Sequence, residues 1–135
     1  MSDPRGIRNN NPGNIRAGAT PWIGLTGVDD AGFCQFDTPE HGIRALAKVL
    51  IAYQVKHGLR TIADFITRWA PPAENDTGAY IQSVCKAVGA NAVSPYVLTP
   101  PRLRDLAAAI IKHENGEQPY TLDQITAGVD AAFTG

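Results

Sequence analysis

The sequence is poor in the residues that support several common kinds of function. Two cysteines and three histidines among 135 residues are too few for a disulfide framework, and they lack the spacing of zinc ligands. We therefore expect no metal and no cofactor. A formal net charge of −1 gives no overall attraction to nucleic acid or to anionic lipid. No apolar run approaches the roughly 18 residues that cross a bilayer, so we expect no membrane insertion.

The N-terminus also lacks the basic and then apolar segment of a Sec-type signal peptide. Within its first 28 residues, however, Arg5, Arg8 and Arg16 form a local positive bias. This bias favours an anionic polymer as a ligand, and the alternative is that the three side chains are simply solvated. The sequence leaves open whether Cys34 and Cys85 pair.

A length of 135 residues with 44% hydrophobic residues is typical of one soluble domain, which we place at 1–135. Residues 1–36 are rich in Gly, Asn and Pro and have no sustained period. They predict an ordered, irregular loop region with short extended pieces around Trp22–Leu25 and Phe33–Phe36.

From residue 38 onwards, helix start and stop signals alternate with apolar residues at helical spacing. Five helices are predicted, packed helix on helix, so the fold class is mainly α. Gly58, Pro71, Gly89 and Gly116 mark the ends of the first four. The predicted starts are Thr38-Pro39, Thr61–Asp64, Asn75–Thr77, Thr99–Pro101 and Thr121–Gln124.

Glu114 interrupts the apolar pattern of the fourth helix. At about 100° per residue it falls within about 20° of the middle of the apolar stripe from Leu103 to Ile111. Burial and the negative end of the helix dipole both disfavour a charged carboxylate there, so we expect a raised pKa for Glu114, as a general acid requires. Two alternatives are a side chain that extends into water and a buried pair with Lys112, His113 or an N-terminal arginine.

Several sequence segments resemble phage and prophage proteins associated with cell-wall degradation. The most specific is the asparagine-rich stretch from Arg5 to Ile15. The others are Trp22–Gly24, Phe33, Phe36, Trp69–Asn75 and His113–Tyr120.

The same segments resemble rearranged parts of a lytic transglycosylase. Ile110–Gly116 is similar to the helix that ends in the catalytic glutamate of that family, and Asn11–Ile15 to the loop that grips the saccharide. Trp69–Tyr80 is similar to its aromatic, asparagine and tyrosine elements. The glutamate helix comes last here rather than first, which implies a circular permutation. The resemblance implies a compact lysozyme-like helical domain with Glu114 as catalytic residue.

Polar and aromatic side chains in these segments are candidate saccharide ligands. Amides match sugar hydroxyl and N-acetyl groups without adding charge, and indole rings offer flat apolar faces. The alternatives are turn formation for the asparagines and core packing for the tryptophans. Glu74 has a helix-capping alternative. The candidate substrate-binding residues are Asn10, Asn11, Asn14, Trp22, Trp69, Glu74, Asn75 and Tyr80.

The expected function is cleavage of the β-1,4 bond between N-acetylmuramic acid and N-acetylglucosamine by a phage-derived transglycosylase or lysozyme mechanism. The expected partners are peptidoglycan glycan strands and other proteins of a phage particle. A hydrolase would need a second carboxylate, for which Glu74 and Asp37 are the candidates.

The protein would be made in the bacterial cytoplasm and delivered to the cell wall by lysis machinery, a virion or a secretion system. Two alternatives are a non-catalytic virion or cell-wall-binding protein and a secreted antibacterial effector.

Overall fold

A computed structural model describes residues 3–134 of the chain. The described residues form six helices and one antiparallel pair of strands, so the mainly α class is confirmed. The elements, in chain order, are α1 (Arg5–Arg8), β1 (Leu25–Val28), β2 (Cys34–Phe36), α2 (Pro39–Val55), α3 (Ile62–Trp69), α4 (Thr77–Val88), α5 (Pro100–Asn115) and α6 (Leu122–Thr134).

The five long helices begin and end close to where the sequence predicted, because their capping residues act locally. The Thr38 and Thr99 side chains accept hydrogen bonds from backbone N–H groups in the first turns of α2 and α5. Thr61 forms the predicted capping box with Asp64 at the start of α3. At the other end of α5, Gly116 adopts φ 74°, a left-handed conformation that glycine accommodates without strain.

The N-terminal region is more regular than predicted. β2 coincides with the expected extended piece at Phe33–Phe36, but β1 begins at Leu25, where the other piece was expected to end. The four-residue helix α1 was missed, since one turn is too short to show a helical period. β1 pairs with β2, with an irregularity in register between Leu25 and Gly27.

The core is built from the facing sides of the five long helices, as the predicted helix-on-helix packing requires. Along α5, the side chains of the apolar stripe are fully buried; they are Leu103, Leu106, Ala107, Ile110 and Ile111. A smaller cluster of Cys34, Phe36 and Ala45 lies beneath the two strands. Among the described residues, no helix combines the length and apolar character needed to cross a membrane.

Cys34 and Cys85 are separate free thiols, which answers the question that the sequence left open. Cys34 is buried in β2, and Cys85 is half-buried on α4. Burial raises the pKa of both thiols. Each cysteine is therefore a small apolar side chain with low reactivity.

Close packing of α2 against α6 depends on Gly128. A Cβ atom at this position would lie 2.6 Å from the Ile43 Cβ and 2.9 Å from the Glu40 carbonyl oxygen. Because a backbone atom cannot rotate away, Gly128→Ala forces the two helices apart. Overpacking typically costs 1–3 kcal/mol and alanine regains up to 1 kcal/mol of helix propensity, so we expect a net loss of about 1–2 kcal/mol in urea unfolding.

Gly78→Ala is the matched control, because a Cβ there would meet only the Asp76 Oδ1 atom at 3.9 Å. It should leave the free energy of unfolding unchanged or slightly raised. Equal stability of the Gly128→Ala and Gly78→Ala variants would contradict the packing assigned to α2 and α6.

Candidate functional site

Glu114 lies in the last turn of α5, close to the predicted helix end at Gly116, and its side chain is half-buried, whereas the apolar stripe is fully buried. Its two carboxylate oxygens are held from two different directions. Oε2 accepts a hydrogen bond of 2.8 Å from the Tyr80 hydroxyl on α4, and Oε1 accepts one of 3.3 Å from the Asn14 Nδ2 atom in the N-terminal loop. The carboxylate therefore joins the helical core to the irregular N-terminal region.

The predicted alternative of a buried ion pair is not found. Within residues 3–134, no Lys, Arg or His nitrogen lies within 4.0 Å of the Glu114 carboxylate. His113 stacks instead on the Tyr80 ring, with centroids 3.7 Å apart and planes inclined by 25°. The carboxylate is thus held by two neutral donors, which fix its position without neutralising its charge.

The Tyr80 hydroxyl remains a donor across the working pH range. Tyr80 is 2% exposed, and burial raises its pKa far above the ordinary value. The negative charge of Glu114 and the hydrogen bond between the two groups raise it further, while Trp69 acts in the opposite direction. A phenol that stays protonated keeps its O–H group available as a hydrogen-bond donor to the carboxylate.

Asn14 is positioned by a loop whose backbone is fixed from within. It has φ 51°, a left-handed conformation that asparagine tolerates better than most residues. Asn11 is fully buried, and its Nδ2 atom donates to the carbonyls of Ile15 and Cys34 at 3.0 Å each. Its Oδ1 atom accepts from the Ile15 N–H, also at 3.0 Å. Asn11 therefore ties the loop around Asn14 to itself and to β2.

A second amide ties the same loop to the end of α5. The buried Asn115 donates from Nδ2 to the carbonyl of Pro12 at 2.9 Å and to that of Ile111 at 2.8 Å. α1 crosses this point at Gly6, where a Cβ would lie 2.5 Å from the Asn115 Oδ1 atom. Glycine at position 6 thus allows α1 to approach the helix end that bears Glu114.

Glu114 lines an open groove of about 710 Å³ and a smaller recess of about 250 Å³. Glu114 and Asn75 line both spaces. The N-terminal loop forms one wall of the groove and the segment that follows α3 forms another. The groove is lined by Pro4, Arg5, Gly13, Asn14, Ile15, Arg16, Phe33, Val49, Tyr53, Trp69, Ala70, Glu74, Asn75 and Glu114.

The structure brings most of the sequence-predicted site residues to this groove. Glu114, Asn14, Trp69, Glu74 and Asn75 line its larger part. Tyr80 lines the recess together with Asn75 and Glu114. Six of the nine predicted side chains therefore converge, although they come from three separate segments of the chain.

Asn10, Asn11 and Trp22 do not line the groove or the recess, which corrects their predicted placement. The Asn10 Nδ2 atom donates to the carbonyl of Phe36 at 3.1 Å, and the Asn11 amide is used entirely by backbone groups. Trp22 packs against the small cluster beneath the strands. The two asparagines therefore hold the backbone of the loop, and Trp22 is a packing residue.

The two predicted helper carboxylates have different surroundings. Asp37 is outside the groove and forms a 2.6 Å contact with His41 Nδ1, and this hydrogen bond lowers the pKa of Asp37. Glu74 lines the groove as an exposed loop residue. Of these two carboxylates, Glu74 is therefore the one that lines the same groove as Glu114. Among residues 3–134, no three His, Cys, Asp or Glu side chains converge into a metal site.

Arg5, Arg16 and Phe33 also line the groove, and the sequence did not predict that they would meet. The guanidinium carbons of Arg5 and Arg16 lie 4.7 Å and 4.5 Å from the centroid of the Phe33 ring. The positive bias of the N-terminus was the available signal, but solvated arginines would have produced the same signal.

Fold and site together define a mainly helical domain with an open groove, in which neutral donors hold the carboxylate of Glu114. The chain is 43% identical over 140 residues to Protein P5 of Pseudoalteromonas phage PM2, an alignment that covers 97% of this chain and 83% of the phage protein. The chain belongs to the family of that bacteriophage protein. It matches no family model.

Proposed function

We propose that the protein cleaves the β-1,4 bond between N-acetylmuramic acid and N-acetylglucosamine in peptidoglycan, with Glu114 as the catalytic acid, on a lysozyme-like helical domain. The main support for the proposal is a half-buried carboxylate that has no ion-pair partner within the described residues and lines both the groove and the recess. A glycan strand that occupied both spaces would bring one of its glycosidic bonds next to Glu114. The bacteriophage relative is consistent with a role at the bacterial cell wall.

In the first step, the Glu114 carboxyl group donates its proton to the glycosidic oxygen as the bond to the sugar C1 breaks. Each carboxyl oxygen retains capacity beyond the hydrogen bond that it accepts from Tyr80 or Asn14. The two donors keep the group oriented towards the groove, which saves the entropy of positioning it in the transition state. They also stabilise the carboxylate that remains once the proton has left.

In the second step, we favour the transglycosylase route over hydrolysis. Hydrolysis would need a second carboxylate. Asp76 lines the recess, but its side chain already caps α4 by accepting a hydrogen bond from the Ala79 N–H. Glu74 lies in an exposed loop, where a nucleophile or base is poorly fixed. The acetamido group of the substrate can instead stabilise the positive charge at C1. Glu114, now deprotonated, takes the proton from the C6 hydroxyl, and the C6 oxygen bonds to C1 to give a 1,6-anhydro end.

The walls of the groove fit a chain of amino sugars. Trp69 is half-buried and offers an indole surface beside the catalytic carboxylate. Gly13 allows the loop to approach this ring, because a Cβ there would lie 3.0 Å from Trp69 Cζ2. The Asn14 amide is engaged with Glu114 and its Oδ1 atom is buried, but the exposed Asn75 amide can bind hydroxyl and N-acetyl groups.

Mass spectrometry of the soluble products from purified sacculi tests the proposal. We expect muropeptides that end in 1,6-anhydro-N-acetylmuramic acid. Products that have gained water would instead favour a hydrolase with Glu74 as helper. Binding of sacculi without release of soluble fragments would contradict the proposal and favour a non-catalytic virion or cell-wall-binding protein.

Tyr80→Phe should lower the rate of muropeptide release by about 10- to 100-fold. The substitution removes the 2.8 Å hydrogen bond to Glu114 Oε2, and a hydrogen bond to a charged group contributes about 1.5–3 kcal/mol. Because the ring and its packing on His113 are kept, kcat should fall while the free energy of unfolding changes little.

Tyr96→Phe is the control for Tyr80→Phe. Tyr96 is also buried, and its hydroxyl donates to the Arg102 carbonyl at 3.0 Å, but it does not line the groove. Tyr96→Phe should therefore change stability without changing the rate. If the two variants retained equal activity, the Tyr80 hydroxyl would have no role in positioning Glu114.

A further inference from the structure

Two arginines from separate segments of the chain meet on one aromatic ring in the wall of the groove. Arg5 belongs to α1, and Arg16 lies beside Phe33 through an isolated antiparallel bridge. Both guanidinium groups lie within 5 Å of the Phe33 ring centroid, at 4.7 Å and 4.5 Å. We call Arg5, Phe33 and Arg16 the arginine stack.

Arg5 has an acidic neighbour, Asp29, whose carboxylate is shared with several other donors. Asp29 lies 3.6 Å from Arg5 Nε, but it also accepts hydrogen bonds from the Asn9 amide and from the N–H groups of Ala31 and Phe33. These bonds hold the turn between the strands and lower the pKa of Asp29. Within residues 3–134, no Asp or Glu oxygen lies within 4.0 Å of Arg16.

The arginine stack therefore places two guanidinium groups in the wall of the groove. Arg5 shares Asp29, whereas the Arg16 guanidinium has no acidic partner within the described residues. Two guanidinium groups on one ring repel each other, and an anion placed between or beside them relieves that repulsion. The chain as a whole has a net charge of −1, so this concentration of positive charge is local. The planar guanidinium group matches the two oxygens of a carboxylate, which it can bind through paired hydrogen bonds.

We propose that the arginine stack binds carboxylate groups carried by the glycan strand and so selects peptidoglycan over neutral amino-sugar polymers. This inference rests on the proposed function, since it assigns a substrate feature to the same groove. Peptidoglycan offers two sources of carboxylate. One is the stem peptide, and the other is the lactyl group of muramic acid, which becomes free where the stem has been removed.

Binding can be measured without cleavage by cosedimentation, with Glu114→Gln as the background in every sample. The test variant is Arg5→Gln with Arg16→Gln. The control is Arg60→Gln with Arg104→Gln, which removes the same charge outside the groove. The ligands are intact sacculi, glycan strands stripped of stem peptides by an amidase, and insoluble chitin.

The test variant should bind anionic polymer about tenfold more weakly than the control, and it should lose part of the salt dependence of binding. Weaker binding of intact sacculi alone assigns the stem peptide as the source. Weaker binding of stripped strands alone assigns the lactyl group, and weaker binding of both shows that either is accepted. Chitin should be bound equally by the two variants.

Unchanged affinity for both anionic polymers would overturn the inference, as would an equal loss on chitin. These results are separable from failure of the proposed function. If the wild-type protein released no fragments but the arginine-dependent binding remained, the carboxylate site would be supported and the cleavage reaction would be contradicted. If cleavage occurred and the arginine variant bound the anionic polymers normally, only the proposed carboxylate site would be contradicted.

Discussion

Glu114→Gln should lower the release of soluble muropeptides from purified sacculi by about 10²- to 10⁴-fold, the usual contribution of a general acid. An amide has nearly the same shape as a carboxyl group but has no acidic proton to give to the glycosidic oxygen. The amide oxygen can still accept a hydrogen bond from Asn14 or Tyr80, the two donors that hold the native side chain. The variant should therefore fold and bind the glycan strand while cleaving it very slowly.

Glu117→Gln is the control, because it makes the same chemical change at an exposed position just beyond the end of α5. It should release muropeptides at the wild-type rate. Similar rates for Glu114→Gln, Glu117→Gln and the wild-type protein would remove Glu114 from the mechanism. Circular dichroism of each variant separates loss of chemistry from loss of fold.

Asn11→Asp should destabilise the protein by about 3 kcal/mol, a large effect for a change of one amide to a carboxyl group. The amide nitrogen donates to two carbonyl groups, those of Ile15 and Cys34, and both lose their donor in the variant. A buried acceptor left without a donor costs about 1–3 kcal/mol, and burial of a carboxylate in its place adds to the cost. The loss should appear as a lower midpoint of urea unfolding.

The same variant should also bind the glycan strand more weakly, because Asn11 fixes the loop that carries Gly13, Asn14 and Arg16. Asn91→Asp is its control: Asn91 is exposed and its Oδ1 atom accepts from the Val93 N–H, a role that a carboxylate keeps. We expect Asn91→Asp to match the wild-type protein in both measurements. Wild-type stability of Asn11→Asp would show that the loop is held by other contacts.

The sequence predicted the five long helices because their determinants are local. Capping residues such as Thr38 and Thr61 act within one turn, and the apolar period of each helix is set by its own residues. The N-terminal region was predicted less well for the opposite reason. Its structure depends on contacts with distant residues, such as the hydrogen bond of 2.9 Å from Asn115 to the Pro12 carbonyl.

The same distinction holds within the candidate site. The last-turn position of Glu114 followed from the stop signal of its own helix at Gly116. Residue type alone could not distinguish Asn14, which meets Glu114, from Asn11, which is used by the backbone. Nor could it show that Arg16 would reach the groove, because that placement depends on its pairing with Phe33.

A crystal structure of the Glu114→Gln protein with a bound peptidoglycan oligosaccharide would show directly whether Glu114 meets the bond that is cleaved. We expect sugar rings in both the groove and the recess, with the linkage between them next to residue 114. A glycosidic oxygen should lie about 3 Å from the substituted side chain, within hydrogen-bond distance. A saccharide bound elsewhere on the protein, with the groove empty, would show that Glu114 is not the catalytic acid.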